Sequence, residues 1–191
     1  MKARIYIAAM LLMVLGLQVA QAQMNIVFKA KVWYDEVDEH GFRMIDTETT
    51  SVLTPKGSVC PISISLNYYQ GLEFPYYLRL YGRHELTNDD RLAVTLSSGK
   101  ELHLYPCGND LQYSRLGLIK KVPVYQSFFP LDDEQLNDLL SSTVVGISMK
   151  IKMGSKYEWL SKDLKNGYVD KWLKLNYKAI QKRLKKAEKH K

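Results

Sequence analysis

The chain has 191 residues, of which 46% are hydrophobic and 25% are charged, with a formal net charge of +7 at pH 7. This composition is that of an ordinary globular protein, and it excludes a disordered or collagen-like chain. The charge is divided unevenly. Residues 23–149 hold 11 Lys and Arg against 16 Asp and Glu, whereas residues 150–191 hold 14 against 4. The sequence therefore predicts an acidic body with a net charge of −5 and a basic tail with a net charge of +10.

The first 22 residues have the features of a cleavable signal peptide. Lys2 and Arg4 precede an uncharged apolar run over 5–17, and Ala20 and Ala22 are the small residues that signal peptidase reads. The alternative is a membrane anchor, but thirteen apolar residues make a helix of about 20 Å, shorter than the ~30 Å hydrocarbon core. We predict export to the periplasm or the medium with cleavage after Ala22. No later run is long and apolar enough to span a membrane.

The body, taken as residues 23–153, has the alternating pattern of a β-rich domain. Clear alternation of apolar and polar residues predicts strands near 26–32, 62–68, 76–81 and 145–153, and a hairpin over 92–104 with Gly99 in its turn. Weaker patterns predict strands over 43–53 and 115–129. Pro123 is expected to place the second of these at a sheet edge or to break it in two.

One short helix is predicted between the strands, because its local capping chemistry is complete. Asp132 is an N-cap residue, and Gln135 lies three residues later, where it closes a capping box. Leu131 and Leu136 occupy the positions of a hydrophobic staple. We expect the helix to end by Ser141 or Ser142 and a strand to follow.

This part of the chain carries a resemblance. The segment Tyr125-Gln126-Ser127-Phe128-Phe129-Pro130, the capped helix and the strand after it resemble uncharacterised secreted bacterial β-rich proteins, over residues 125–153. In those proteins a strand, a short helix and a strand also follow an aromatic-Pro approach. The resemblance implies a bacterial, exported, non-catalytic protein and brings no known activity.

The basic tail, residues 154–191, is predicted to be helical. Tyr157, Leu160 and Leu164 have helical spacing, and Asn166-Gly167 should end that helix. A second helix with Asp170 as its N-cap has an apolar face and a lysine face about 200° apart, at about 100° per residue. Its lysine face consists of Lys171, Lys174, Lys178, Lys182, Lys185 and Lys189. The predicted fold class is α+β: a mainly antiparallel β-sheet or sandwich with one short inserted helix and a C-terminal amphipathic helix.

Cys60 and Cys107 are the only two cysteines, and in an oxidising compartment an even count favours a disulfide. It would close a loop of about 48 residues and contribute roughly 4 kcal/mol in the chain-entropy model. The alternative is two free buried thiols. We predict the disulfide.

Three surface features are candidates for binding. The lysine face is typical either of a helix docked on the sheet with a solvated outer side or of a helix that binds an anionic surface. Tyr69, Tyr77 and Tyr81 fall on the polar side of their strands, where they are either ordinary sheet tyrosines or rings that stack on sugars or a protein partner. The acidic segment 35–41 is either a Ca²⁺ site or an acidic hairpin turn between strands, and we predict the turn because EF-hand spacing is absent. A second expectation is that this turn meets the basic tail through opposite charge.

No catalytic, cofactor or metal motif is present in the sequence. The four histidines are scattered without metal-ligand spacing, and no nucleophile elbow or phosphate loop occurs. We therefore predict a non-catalytic exported protein without a cofactor, which binds a protein partner, a glycan or an anionic membrane surface rather than nucleic acid. The alternative is a small secreted hydrolase that uses two carboxylates, for example on a glycan.

Overall fold

A computed structural model describes residues 30–57, 59–82, 91–116, 120–153 and 156–189. The predicted signal peptide, residues 1–22, and most of the predicted strand over 26–32 lie outside these residues. The described strands are β1 Val32–Val37, β2 Arg43–Thr47, β3 Thr50–Leu53, β4 Val59–Tyr69, β5 Tyr76–Gly82, β6 Leu92–Leu96, β7 Glu101–Leu104, β8 Gly108–Leu116, β9 Lys120–Leu131, β10 Val144–Met153 and β11 Lys156–Asp163. The described helices are α1 Asp133–Ser141 and α2 Val169–Glu188.

The strands form two antiparallel sheets, so the predicted α+β class with a mainly antiparallel sheet is confirmed. Sheet A has the order β1-β2-β4-β5-β9-β8, with β3 paired to β4, and sheet B has the order β11-β10-β6-β7. The hairpin of β6 and β7 turns at Gly99, whose φ of +84° suits a residue without a Cβ. β9 continues through Pro123, so the predicted break is wrong. β9 lies between β5 and β8 over residues 125–131, and Pro123 itself pairs with Tyr113 of β8.

The capped helix α1 is confirmed at its start and at its end. The backbone N–H of Gln135 donates to Asp132 Oδ1 at 2.7 Å, and the backbone N–H of Asp132 donates to Gln135 Oε1 at 3.1 Å. These reciprocal bonds satisfy groups that the helix itself leaves open. Leu136 and Leu139 are buried, so α1 also closes the core between β9 and β10.

The first helix predicted in the tail is wrong, because residues 156–163 form β11. This strand pairs with β10 from Met153↔Lys156 to Gly146↔Asp163. The helical spacing of Tyr157, Leu160 and Leu164 was a weaker signal than a continuous ladder of backbone hydrogen bonds. The described part of the predicted basic tail, residues 156–189, therefore begins inside sheet B, and within that range the helix is α2.

The core lies between the inner faces of the two sheets and extends under α2. Apolar residues from alternate positions of β4, β5, β6 and β10 meet there, including Ile64, Leu80, Val94 and Ile147. Period-two alternation explains this arrangement, because every second side chain of a strand points to the same face. Leu164, Val169 and Leu173 close the core where the chain passes from β11 into α2.

The predicted Cys60–Cys107 disulfide is not seen. Cys107 is a free thiol whose pKa is raised by burial, and the side chain of Cys60 lies outside the described residues. Gly108 is level with Ser65 through Phe128 and Arg79, and Cys60 lies five residues before Ser65. Cys107 precedes Gly108 on a strand antiparallel to β4, so the two cysteines are separated by six residues, roughly 20 Å, along the strands and by roughly 14 Å across them. A disulfide requires Cα atoms about 4.4–6.8 Å apart, so the register argues against this pairing.

Candidate functional site

The inner side of α2 is docked on sheet A. Trp172, Leu173 and Ile180 are buried, and the Trp172 indole N–H donates to the carbonyl of Glu48 at 3.1 Å. Asn176 is fully buried, and its amide donates to the same carbonyl at 3.1 Å and to the Thr47 hydroxyl. The helix is therefore fixed by apolar burial and by hydrogen bonds to the end of β2.

The outer side of α2 carries the predicted lysines, which we call the basic face: Lys171, Lys174, Lys178, Lys182, Lys185 and Lys189, extended by Lys186. All are exposed except Lys174, which is half-buried and lies 3.6 Å from Asp170 at i,i+4 spacing. At about 100° per residue these seven lysines fall within roughly 120° of the helix circumference. The docked interpretation and the exposed basic face are thus both correct, because they concern opposite sides of one helix.

A groove of about 1360 Å³ lies between α2 and the start of β1. Val32, Tyr177 and Gln181 contribute to its walls, and Lys178, Lys182 and Lys185 belong to its lining. The groove combines apolar side chains with ammonium groups from the basic face. A ligand that carries an anionic group next to an apolar part would complement this lining.

The predicted meeting of the acidic segment 35–41 with the tail is found at one residue. Arg183 Nε lies 3.7 Å from Asp35 Oδ2, and Arg43 Nη2 lies 2.6 Å from the other oxygen of the same carboxylate. The remainder of the segment forms the predicted turn between β1 and β2. There Asp38 accepts hydrogen bonds from the backbone of His40 and Phe42.

The three candidate tyrosines lie on the outer face of sheet A, as alternation predicted, but they form no open platform. Tyr77 is only 5% exposed, whereas Tyr69 and Tyr81 are half-buried. The Tyr69 hydroxyl donates to Asp38 Oδ2 at 2.7 Å, and this hydrogen bond lowers the pKa of Asp38 and raises that of Tyr69. The basic face lies on the other side of sheet A, so the tyrosines and the lysines do not form one continuous surface.

A polar cluster under Tyr77 was missed by the sequence analysis. Arg79 Nη1 lies 2.5 Å from Asp46 Oδ2, and the Tyr77 hydroxyl donates to Asp46 Oδ1 at 3.0 Å. The Arg79 guanidinium also lies 5.0 Å from the centre of the Tyr81 ring. Burial, and then the Asp46 carboxylate, raises the pKa of Tyr77. Only the register of β2, β4 and β5 brings these residues together, so no local pattern reveals them.

Glu134 and Asp138 on α1 are two carboxylates that contact the same ammonium group. The predicted alternative, a hydrolase, would need a free pair of carboxylates. Lys100 Nζ lies 2.7 Å from Glu134 Oε1 and 2.6 Å from Asp138 Oδ2. These contacts raise the pKa of Lys100, so an ammonium group stays between the two carboxylates. Because both carboxylates contact this ammonium group, they do not form the free pair that a hydrolase uses. This pair is a surface ion network.

Chemistry based on metals has no visible site in the described ranges. Among those residues, no group of three or more His, Cys, Asp or Glu side chains is placed to hold a metal ion.

Neither described helix is long and apolar enough to cross a membrane. Comparisons with models of protein families, with curated proteins and with solved structures found no match for this chain. The functional argument therefore depends on the surfaces described above.

Proposed function

We propose that the protein is an exported, non-catalytic binding protein that attaches to an anionic membrane surface through the basic face of α2. The carrying observation is that six of the seven lysines on this face are exposed on a helix whose other side is fixed to sheet A. The signal-peptide pattern of residues 1–22 supports export, because it would deliver the chain to a compartment that contains lipid surfaces.

The mode of attachment follows from the docking of α2. An interfacial amphipathic helix normally inserts its apolar side between lipid chains, but here Leu173 and Ile180 are already buried against sheet A. Binding must therefore come from charge attraction to lipid headgroups. Lysine favours such diffuse attraction, since its ammonium group is a point charge without the bidentate geometry of arginine. Each lysine near an anionic surface contributes about 1 kcal/mol, and salt weakens this contribution.

The test is co-sedimentation of the purified protein with vesicles of phosphatidylglycerol and phosphatidylcholine, and with vesicles of phosphatidylcholine alone. The test variant carries Lys178→Gln, Lys182→Gln, Lys185→Gln and Lys189→Gln. The matched control carries Lys56→Gln, Lys156→Gln, Lys162→Gln and Lys165→Gln, four exposed lysines outside α2, so both variants lose the same charge.

We expect the unaltered protein and the control to bind only the anionic vesicles and to be released by 0.5 M salt, which screens the attraction. The α2 variant should lose about 4 kcal/mol of attraction, which is several hundredfold in affinity. Equal binding by the α2 variant and the control would refute the proposal. Binding that persists in high salt would refute the electrostatic mode.

A further inference from the structure

The flank of α2 next to β1 carries four side chains in one line along the helix. They follow one another at spacings of four, three and four residues, so at about 100° per residue they fall within roughly 60° of the helix circumference. The line extends over about 16 Å at 1.5 Å per residue. The contact of Arg183 with Asp35 joins this side of α2 to β1. We call this set the flank stripe: Leu175, Ala179, Lys182 and Lys186.

The start of β1 lies beside the first half of the flank stripe. The carbonyl of Lys31 accepts a hydrogen bond from the backbone N–H of Glu48, and the carbonyl of Glu48 accepts one from the Asn176 amide of α2. The next residue of β1, Val32, is half-buried and lines the groove together with the four residues of the flank stripe. The strand therefore supplies a second apolar wall at this end of the stripe.

The flank stripe changes its chemistry along its length. Leu175 and Ala179 are apolar and half-buried, whereas Lys182 and Lys186 are exposed and carry ammonium groups. The methylene stems of the two lysines continue the apolar surface, because lysine keeps its charge at the end of a long apolar chain. A ligand with an apolar chain and an anionic head complements both halves, with its head at the lysines.

The acidic groups around the flank stripe leave its two lysines available to a ligand. Neither lysine takes part in an ion pair with a described residue. Asp35 is engaged by two arginines, and Asp38 and Glu39 have contacts within the β1–β2 turn and sheet A. Glu188 lies about 150° round the helix from the stripe, and Glu48 lies at its apolar end. The positive charge of this half is therefore not neutralised locally.

We propose that the flank stripe and the start of β1 bind a free fatty acid. Its acyl chain lies against Val32, Leu175 and Ala179, where it loses contact with water. Its carboxylate accepts charge-assisted hydrogen bonds from Lys182 and Lys186. One line of side chains matches one acyl chain, which favours a fatty acid over a phospholipid with two chains. The ligand is soluble, so this binding needs no membrane and is a function beyond the attachment proposed above.

The test is a fluorescence titration of the purified protein with dansyl-undecanoic acid in the absence of vesicles. Bound probe is then displaced with laurate, with the uncharged alcohol dodecanol, with the short acid butyrate and with lysophosphatidylglycerol. The first variant, Ala179→Trp, fills the apolar half of the site and leaves every charge in place. Its matched control is Ala187→Trp, at a half-buried position of α2 outside the lining of the groove.

The second variant carries Lys182→Gln and Lys186→Gln and removes the charge that holds the carboxylate. Its matched control carries Lys56→Gln and Lys156→Gln, two exposed lysines outside α2. Both members of this pair change exposed side chains only, so they keep the test decisive if Ala179→Trp does not fold.

Laurate should displace the probe at least about tenfold more effectively than dodecanol or butyrate, because only laurate has both the chain and the charge. Ala179→Trp and the Lys182/Lys186 variant should each bind the probe about tenfold more weakly than their controls. Ala179→Trp should still bind anionic vesicles, since its lysines are unchanged. The fatty-acid site and the membrane attachment can therefore fail independently.

Three results would overturn the proposal. The first is that the unaltered protein does not bind the probe, and a dimer in analytical ultracentrifugation would then assign the flank stripe to a second copy of the chain. The second is that dodecanol displaces the probe as well as laurate does, or that only lysophosphatidylglycerol displaces it. The third is that the Lys182/Lys186 variant, or a folded Ala179→Trp protein, binds the probe as tightly as its control.

Discussion

The two faces of α2 perform different tasks within one helix. Its inner face buries Trp172, Leu173 and Ile180, and the Asn176 amide N–H groups donate to Thr47 and Glu48, so it fixes the helix to sheet A. Its outer face carries like charges that repel one another, and Lys178, Lys182, Lys185 and Lys189 on it are exposed rather than buried against the sheet. Docking by one side is thus sufficient to hold the helix, and the lysines on the other side need an explanation other than folding. The following substitutions test whether stability and binding separate in this way.

The largest effect is expected from Leu173→Ala on the inner face. Leu173 is 1% exposed in the core, so truncation removes buried apolar surface and leaves a cavity. The free energy of unfolding, measured in urea, should fall by about 2–5 kcal/mol. The matched control is Leu175→Ala, the same substitution at a half-buried position toward the basic face, which should cost clearly less. Equal losses in the two variants would mean that α2 is not docked through Leu173.

A smaller loss of stability is expected from Asn176→Ala. The Asn176 amide donates to the Thr47 hydroxyl and to the carbonyl of Glu48 in a fully buried position. Its removal takes the donor from the buried Thr47 hydroxyl oxygen, whereas the Glu48 carbonyl keeps the hydrogen bond from Trp172, so the expected cost is about 1–3 kcal/mol. Thermal unfolding should show this decrease, while Asn166→Ala, at an exposed residue of the preceding turn, should leave the midpoint nearly unchanged. An unaltered midpoint for Asn176→Ala would contradict a contribution of the Asn176 hydrogen bonds to the docking of α2.

The fold was predictable where burial on one side of a strand imposes a period of two. Ile62, Ile64 and Leu66 alternate with Ser63 and Ser65, and the structure places them on opposite faces of β4. The prediction of a helix over 157–164 was wrong. The spacing of Tyr157, Leu160 and Leu164 also occurs in a strand, here one in which Leu160 faces inward and Trp159 outward. Local pattern cannot distinguish these two cases, since the pairing partner of β11 decides between them.

The candidate sites also differ in how far the sequence alone reveals them. The basic face follows from residues on one helix, so the sequence alone reveals it. The polar cluster of Tyr77, Arg79 and Asp46, in contrast, joins side chains of two different strands. Such sets are defined by pairing between distant segments. They become visible only when the strand order is known.

A pH-dependent difference is expected at Tyr76, where the helix meets sheet A. Burial raises the pKa of Tyr76 from 10.0 to about 12, and Gln181 donates a hydrogen bond to its hydroxyl. The folded state therefore favours the neutral phenol, and this contribution is complete below pH 10 and is lost as the pH rises from 10 to about 12. Tyr76→Phe should make the stability fall less steeply over this range, as measured by urea unfolding at successive pH values. Identical slopes for both proteins would contradict the burial of the hydroxyl.

The smallest effect on stability is expected from neutralising Lys178, Lys182, Lys185 and Lys189 together. Exposed charges away from ion pairs contribute little to folding, and repulsion between like charges on one helix face is slightly unfavourable. The free energy of unfolding should therefore change by less than about 0.5 kcal/mol, which is typical of surface substitutions. A loss of more than about 1.5 kcal/mol would assign the lysines to folding and would make any binding defect of this variant ambiguous. Unchanged stability together with lost vesicle binding would instead show that the two faces of α2 are energetically independent. The inner face would then contribute to the free energy of unfolding, and the basic face to vesicle binding.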